Sequence, residues 1–472
     1  MSSMSPAAIA VNRFGLGARP DEGVPDNPKK WLLTQFAQYQ PAPAAWAGQE
    51  KTGAIVAAYL QQQNDMRGAG DDAKIVARKM FRQEVKDDYQ SAVNARAESA
   101  LLTPAPFVER LVHFWANHFA ISIEKPAVAD LSGAFELEAI RPYVLGNFRD
   151  MLLAVEQHPA MLIYLDQDKS IGPGSMAAVR GAERQPDKKR GLNENLAREI
   201  LELHTLGVRS GYTQADVTEF ARALTGWSIA TANTGNASKP IKPRKNNTAP
   251  ADENGFMYRP QLHEPGSRSI MGRAYSQDGK AQAQAILRDL ATAPATATHI
   301  ASKLARHFVN DNPPPSLVEK LASTFMREGG NLSSVYRVLV EAPEAWQPAP
   351  LKFKSPWEWT ISSLRATQRN TTNGINVAQL LNQLGQPVWK PGSPAGYDDI
   401  AEAWAGPNAL LRRIELAQRL AAPLGDKLDA RILSDQVLLG AISAATKTAI
   451  ARAESASTGL ALLLVSPEFL RR

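Results

Sequence analysis

Helix-start signals recur along the whole chain and constrain its fold more than any other feature. A capping residue followed directly by proline occurs at Ser5-Pro6, Asn27-Pro28, Thr103-Pro104 and Ser355-Pro356. Proline suits the first helical turn because its φ angle is already helical and its missing N–H needs no partner there. Thr213, with Asp216 three residues later, has the spacing of a capping box. We therefore predict an all-α fold, an irregular multi-helix domain with at most a small β-hairpin near residues 256–271.

The composition is that of a globular chain without covalent cross-links. Of the 472 residues, 44% are hydrophobic and 21% are charged, so a large core can form without disulfides. The chain has no Cys, which excludes thiolate metal sites, iron–sulfur clusters and cysteine nucleophiles. The net charge of +6 is small for this length. The basic runs at 188–190 and 239–245 lack interleaved aromatic residues, so we expect solvated loops there and no nucleic-acid binding.

Two irregular segments, at 167–191 and at 228–278, interrupt the helical pattern, and the second is the longer. We predict a single domain over residues 1–472, with an N-terminal helical half at 1–227 and a C-terminal helical half at 279–472. No tract approaches the roughly 20 apolar residues of a membrane helix, and we find no signal-peptide pattern. We therefore expect a cytoplasmic protein without a membrane span. Export bound to a partner is the alternative.

The first segment that suggests chemistry is an aromatic helix expected at residues 107–121. His118 lies on the same side as Phe114 and Trp115, so we expect it to face inward. His113 is five residues earlier, which places the two imidazoles on different faces, and we do not expect them to share a metal ion. The alternative interpretation of His118 is a buried structural histidine held by one hydrogen bond.

The second segment is a helix expected over residues 192–206. Asn195, Glu199 and Glu202 recur at i, i+4 and i+7, on one stripe beside the apolar face. Buried carboxylates are costly unless they are paired or bind a metal, and helical Glu residues supply ligands in di-metal helical bundles. The alternative is structural, with both carboxylates accepting hydrogen bonds from helix ends or pairing with Arg222.

The third segment lies in the irregular region and reads Leu-His-Glu-Pro-Gly-Ser-Arg at 262–268. It brings His263, Glu264 and Arg268 within seven residues. Loops held on a rigid scaffold are where functional side chains concentrate. We expect this loop to dock over the 192–206 helix, which would bring His263 to the other two segments. The alternative is an ordinary Pro-Gly turn with solvated charges.

The chain resembles, over nearly its whole length, the bacterial family named domain of unknown function 1800, because several of its segments occur in the order found in that family. The resemblance rests on Asn-Arg-Phe-Gly-Leu-Gly at 12–17, Phe-Trp-Ala-Asn-His-Phe at 114–119, Pro-Ala-Met-Leu-Ile-Tyr-Leu-Asp at 159–166, Asn-Glu-Asn-Leu-Ala-Arg-Glu at 193–199, Ala-Arg-Ala-Leu-Thr-Gly-Trp at 221–227 and Lys-Ser-Pro at 354–356. Glu264 and Arg268 stand where the family usually has Asp and Lys. The resemblance implies a helical fold and a bacterial origin, but no activity. Family members are often encoded beside a sulfatase-like family, domain of unknown function 1501, which implies a protein of that family as a partner.

The three segments together suggest a His/Glu polar site in a metal-dependent hydrolytic or oxidative enzyme. The expected metal ligands are His118, Glu199, Glu202 and His263. The expected catalytic residues are Glu199, Glu202 and His263, and the expected surrounding residues are Asn117, Asn195, Arg222 and Glu264. Imidazole with carboxylate suits a divalent Zn, Fe or Mn ion that activates water or dioxygen, whereas without a metal the same groups would serve as acid and base. The alternative function is a non-catalytic binding or escort protein for the sulfatase-like partner.

Overall fold

The computed structural model describes residues 3–184, 191–230, 252, 254–425 and 427–472. These residues are mainly helical and include two small hairpins, so the predicted all-α fold is confirmed. The two basic runs at 188–190 and 239–245 lie outside the described residues. Within the described ranges, no helix combines the length and the apolar content that crossing a bilayer requires.

The helices differ in length and occur in the sequence both before and after the four strands. Those before the strands are α1 (Pro6–Ala8), α2 (Pro28–Gln38), α3 (Thr52–Gly68), α4 (Asp71–Leu102), α5 (Pro106–His118), α6 (Pro126–Phe135), α7 (Phe148–Gln157), α8 (Pro159–Tyr164), α9 (Met176–Arg184), α10 (Asn195–Glu199) and α11 (Gln214–Leu224). Those after the strands are α12 (Lys280–Ala291), α13 (Pro294–Phe308), α14 (Pro315–Arg327), α15 (Leu332–Glu341), α16 (Pro356–Ala366), α17 (Val377–Gln383), α18 (Ala401–Trp404), α19 (Pro407–Ala421), α20 (Ala430–Leu438), α21 (Ala444–Ala451) and α22 (Ala456–Leu464). Single π-helical turns occur at Ile9–Phe14, Glu136–Ile140 and Ile200–His204.

The capping signals predict helix starts with one exception. Thr213 and Asp216 form the expected capping box at the start of α11. The pair Thr103-Pro104, in contrast, does not start a helix. The N–H of Thr103 completes the last turn of α4, so the chain needs a short non-helical link before α5 begins at Pro106.

The irregular region contains two antiparallel hairpins. β1 (Trp227–Ile229) pairs with β2 (Phe256–Tyr258), and β3 (Arg268–Ile270) pairs with β4 (Arg273–Tyr275). The segments at 256–258 and 269–271 therefore belong to different hairpins. A two-residue turn with positive φ at Met271 and Gly272 lets β3 pair with the strand that follows it directly.

Two buried hydrophobic clusters form the core, and both draw on distant parts of the chain. The first includes Phe114 of α5 and Phe308 of α13. The second includes Leu16 and Trp389. Each cluster thus contains residues from before position 228 and from after position 278. The division into a single domain with two helical halves stays a prediction. Residues of both clusters line a cavity between them.

Candidate functional site

The cavity between the two hydrophobic clusters has a volume of about 660 Å³. Its walls come from α5, α13, the start of α16 and the segment at 386–400. Its polar and aromatic lining includes His113, His118, His299, Lys303, His307, Trp357, Glu358, Trp389, Tyr397 and Asp399. Concave sites of this size, with apolar walls and a few convergent polar groups, are where proteins bind small molecules.

Helix α13 contributes three of these side chains from one face. His299, Lys303 and His307 follow each other at four-residue spacing, which stacks them along the same side of the helix. All three line the cavity. Ile300 and Leu304 of the same helix are fully buried and fix its position in the core. The helix therefore presents a row of nitrogen groups from a rigid support.

His307 forms a half-buried pair with Asp399 in the wall of the cavity. His307 Nδ1 lies 2.6 Å from Asp399 Oδ2. Burial works against ionisation of Asp399, but the interaction with His307 and the nearby Lys352 hold the pKa of that carboxyl well below its usual range. Burial lowers the pKa of His307. A carboxylate only accepts hydrogen bonds, so Nδ1 carries the proton and Nε2 carries the lone pair.

The remaining ring nitrogen of His307 has no partner in the described part of the chain. Its Nε2 is buried and makes no hydrogen bond to any described atom. Unpartnered buried polar atoms are rare in folded proteins and often mark a place for water or substrate. Because the residue lines the cavity, Nε2 is the group that a water molecule or a ligand there would satisfy.

Asp399 is held in place from its far side by Lys352. The Nζ atom of Lys352 donates to the backbone oxygen of Asp399 at 2.6 Å and lies 3.2 Å from its Oδ1. The same ammonium lies 2.5 Å from Asp311 Oδ1. These contacts leave Asp399 little freedom to rotate, so it can hold the imidazole of His307 in one orientation.

A buried carboxylate, Glu358, is neutralised by two arginines beside this pair. Glu358 pairs with Arg110 of α5, and its Oε1 lies 2.8 Å from Arg472 Nη2. Burial opposes ionisation of Glu358, but the two guanidinium groups hold the pKa of its carboxyl below its usual value. Arg472 Nη1 also donates to the backbone oxygen of His307 at 2.7 Å. The network therefore fixes the backbone that carries His307.

Lys303 is a cation of the cavity wall for which the described residues supply no paired carboxylate. It is half-buried, and among the described residues it makes no hydrogen bond or ion pair. Burial lowers its pKa from 10.5 to about 8. Its charge in turn contributes, after burial, to lowering the pKa values of His118 and His299, so the ammonium is within electrostatic reach of both rings.

Aromatic side chains form another part of the cavity wall. The Arg96 guanidinium lies 4.2 Å from the ring centre of Trp357 and 5.6 Å from that of Trp389. Arg96 Nε also donates to Glu136 Oε2 at 2.7 Å, so its charge is paired. Trp357 Nε1 donates to His113 Nδ1 at 3.1 Å. These contacts fix two indoles at the cavity, where they offer flat apolar surface to a ligand.

Comparison with protein-family models identifies the family of the chain that forms this cavity. Residues 9–471 match the family model described as "Protein of unknown function (DUF1800)". The chain belongs to this family. Searches among curated proteins and among solved structures gave no match. As the sequence resemblance predicted, the match to this family covers nearly the whole chain. The family description assigns no activity, so the activity of this DUF1800 chain must be inferred from the site.

His118 of this DUF1800 chain faces inward, as predicted, and lines the cavity. Its Nε2 donates to the backbone oxygen of His204 at 3.1 Å, and His299 Nε2 donates to that of Leu203 at 3.0 Å. The two imidazoles thus cap free carbonyls where the π-helical turn Ile200–His204 ends. Burial lowers the pKa of His118 well below its usual value and that of His299 to about 4, so both rings are neutral.

Glu199, at the end of α10, and Glu202, within the π-helical turn Ile200–His204, are both half-buried. Burial raises the pKa of Glu199. Glu202 Oε1 lies 3.5 Å from Arg198 Nη1. Neither carboxylate is part of the lining of the cavity that holds His118.

His263 lies at a different cavity, of about 610 Å³, beside Tyr258. Its Nδ1 donates to the backbone oxygen of Thr225 at 2.8 Å. Glu264 N donates to Thr225 Oγ1 at 2.8 Å, and Glu264 Oε2 accepts from the backbone N–H of Gly174 at 2.6 Å. The loop is therefore docked on the end of α11 by specific hydrogen bonds.

The structure does not bring the four expected metal ligands together. Within the described residues, no group of three or more His, Asp or Glu side chains is arranged to hold a metal ion. His118 and His263 line separate cavities, and the two glutamates line neither of them. A metal ion bound by His118, Glu199, Glu202 and His263 stays a prediction.

The expected surrounding residues also separate. Asn117 lines the main cavity, where it contacts Tyr397. Asn195 is exposed at the start of α10. Arg222 pairs with Glu219 of its own helix. Of these residues, Asn117 is the one that the fold places at the cavity with His307.

The sequence contained a signal for part of this site. His299, Lys303 and His307 have helical spacing that places three nitrogen side chains on one face, and this pattern can be recognised before the fold is known. Asp399 has no such signal, because it lies 92 residues after His307 in a segment without regular structure. The pairing depends on the tertiary fold.

Proposed function

We propose that the cavity between the two clusters is the active site of a hydrolytic enzyme in which His307 is the general base. The observation that carries this proposal is the 2.6 Å contact between His307 Nδ1 and Asp399 Oδ2, with Nε2 left unpartnered. A carboxylate in this position fixes the imidazole tautomer and stabilises the imidazolium that forms on proton uptake. Because burial lowers the pKa of His307, the ring is neutral and able to accept a proton near pH 7.

The proposed step is the attack of water on an acyl ester. A water molecule at His307 Nε2 gives its proton to that nitrogen while its oxygen forms a bond to the acyl carbon. The bond from that carbon to the leaving oxygen then breaks, and the imidazolium returns the proton to the leaving oxygen. Asp399 stays ionised throughout and stabilises the transient charge on the ring.

The test uses p-nitrophenyl acyl esters of increasing size and three single variants. His307→Asn and Asp399→Asn should each lower the rate of hydrolysis by about 100-fold or more, because the base or its orientation is lost. His204→Asn is the matched control. His204 Nδ1 lies 2.7 Å from Glu156 Oε1, in a buried pair of the same geometry, yet His204 is not part of the cavity lining.

The expected outcome is a rate that falls in the first two variants and is kept in the control, with thermal unfolding showing that all three remain folded. Hydrolysis that survives His307→Asn would contradict the proposal. The same conclusion follows if the wild-type protein cleaves none of the esters, or if His204→Asn lowers the rate as strongly as His307→Asn.

The sequence suggested a metal-dependent hydrolytic or oxidative reaction, and we keep it as a metal-dependent form of the proposed function. Its ligands would be His118, Glu199, Glu202 and His263, and its ion Zn, Fe or Mn. Elemental analysis of protein purified without chelator or affinity metal tests it. A stoichiometric metal that is lost in His263→Ala and kept in His204→Asn supports this form, and metal-free protein that hydrolyses esters contradicts it.

A second proposal is the non-catalytic role as a binding or escort protein for a sulfatase-like partner of the domain of unknown function 1501 family. It is favoured by an exposed apolar stretch at the start of α4, where Ile75, Val76 and Met80 are 63%, 58% and 68% exposed. Exposed clusters of large apolar side chains mark interaction surfaces. Co-purification of the two proteins, weakened by Ile75→Asp, tests this role. The cytoplasmic location and export with the partner both stay predictions.

A further inference from the structure

Three of the four carboxylates on the described cavity lining already have basic partners. Asp399 is paired with His307 and Lys352, Asp311 with Lys352, and Glu358 with Arg110 and Arg472. Asp398, the remaining acidic residue of the described lining, is exposed to solvent. Arg96 and Arg110 are likewise paired, with Glu136 and Glu358. Arg306 is exposed, and its Nε donates to the backbone oxygen of Asp311. Lys303 is therefore the half-buried cation of the described lining that has no ion-paired carboxylate.

A half-buried ammonium without a counter-ion is costly for the ligand-free protein. Removing a charge from water carries a penalty that an opposite charge or hydrogen bonds normally offset. Asp399 is the acidic group whose charge acts on Lys303, but its two oxygens face His307 and Lys352. On α5 and α13, the groups near Lys303 are the neutral rings of His118 and His299 and the exposed Arg306, and none of them supplies a negative charge.

We infer that the substrate carries an anionic oxygen group, a carboxylate or a phosphate, and that Lys303 binds this group. The inference rests on the proposed function, since it assigns a substrate class to the same cavity. Lys303 is one helical turn before His307 on the same face of α13, so an anion at Lys303 holds the rest of the molecule next to His307 Nε2. The lysine thereby sets both the specificity and the position of the reacting bond.

The rest of the substrate has flat or ring-shaped apolar surface. Trp357, Trp389 and Tyr397 line the cavity together with Phe114. The indoles are fixed by the Arg96 guanidinium, and the hydroxyl of Tyr397 donates to the backbone oxygen of Pro387 at 2.6 Å. Preorganised aromatic side chains bind planar groups with little loss of side-chain entropy. The inferred ligand thus combines an oxyanion with a planar or cyclic body.

The test compares ligands of one shape and different charge by isothermal titration calorimetry at pH 7. Benzoate carries the carboxylate, benzamide is its neutral counterpart, and phenyl phosphate offers a phosphate on the same ring. We expect the wild-type protein to bind at least one of the two anions about tenfold or more tightly than benzamide, and Lys303→Met to remove this preference. The stronger of the two anions identifies the group.

Two control variants separate this inference from the proposed hydrolysis. Lys320→Met removes the same charge from a surface lysine that pairs with Glu344, and it should leave the anion preference unchanged. His307→Asn should also keep the preference, because it removes the base and leaves the ammonium. A wild-type protein that binds benzamide as tightly as both anions overturns the inference, as does a preference that survives Lys303→Met. Ester hydrolysis that depends on His307 would still stand in either case.

Discussion

The side chain of Asn117 holds both backbone groups of Tyr397. Its Nδ2 donates to Tyr397 O at 2.8 Å, and its Oδ1 accepts from Tyr397 N at 2.7 Å. The amide thus bridges from α5 to the segment at 386–400, replacing the backbone partner that an irregular segment lacks. This bridge keeps Asp399, two residues further along, opposite His307.

Replacement of Asn117 by Ala should loosen the segment at 386–400. Two hydrogen bonds are lost, and the free energy of unfolding should fall by about 1–3 kcal/mol. Hydrogen–deuterium exchange at the Tyr397 amide should become faster. Asn382→Ala, at an exposed position of α17, is the control and should change neither quantity. Unchanged protection at Tyr397 in the Asn117 variant would show that the bridge is not what orders the segment.

Gly396 should tolerate no side chain, whereas Gly392 in the same segment should. A Cβ at Gly396 would collide with the backbone oxygen of Asn117, and its φ of +83° is unfavourable for other residues. A Cβ at Gly392 would meet nothing within 4 Å. We expect Gly396→Ala to lower the free energy of unfolding by about 2 kcal/mol or more and Gly392→Ala to be nearly neutral. Thermal and denaturant unfolding measure both, and equal effects would contradict the described fit of the segment.

Lys303→Met should stabilise the ligand-free protein. The pKa of Lys303 falls from 10.5 to about 8 because burial penalises its charged form, so the charge opposes folding below pH 8. The gain in the free energy of unfolding should be about 1–3 kcal/mol at pH 7, and should shrink as the pH rises from about 8 towards 10.5. Denaturant unfolding across this range checks the sign. A variant that is less stable than wild type at pH 7 would mean that Lys303 has a stabilising partner.

The anion preference should weaken over the same pH range in which the stabilisation by Lys303→Met shrinks. Lys303 is charged below its pKa of about 8, and the charge is what binds the anion. The dissociation constant for the preferred anion should therefore rise towards tenfold per pH unit above about pH 8. Asp399 and Arg306 act on the pKa of the lysine, and the neutral rings of His118 and His299 lie on the packed helices α5 and α13. The pKa values of Asp399, His118 and His299 are lowered and lie below this range. Titration calorimetry between pH 7 and pH 10 would reject the assignment if benzamide weakened in parallel.

The features that the sequence predicted depend on short-range interactions. The capping box of Thr213 and Asp216 acts within one helical turn, so the start of α11 can be read from four residues. The inward direction of His118 follows from its position on an apolar helical face. Local chemistry also misled in one place, since Thr103-Pro104 resembles a helix start although Thr103 ends the preceding helix.

The features that the sequence did not predict depend on contacts between distant segments. Glu199 and Glu202 drew attention because two carboxylates lie on one stripe, yet a helical face alone does not tell which cavity it will meet. The four-residue spacing of His299, Lys303 and His307 was visible in the sequence, but Asp399 lies in no recognisable motif. Only the packing of α13 against the 386–400 segment brings His307 and Asp399 together. The partner of a buried imidazole is a property of the whole fold.

The two members of the His307 pair are anchored in different hydrophobic clusters, through Phe308 in the first and Trp389 and Trp404 in the second. A chain emerging from the ribosome completes α13 well before residue 399 exists. Until the second cluster assembles, His307 has no carboxylate to fix its tautomer, and Lys303 has no closed cavity around it. The proposed hydrolysis therefore requires the chain through residue 399, and forms truncated before that residue should lack this activity.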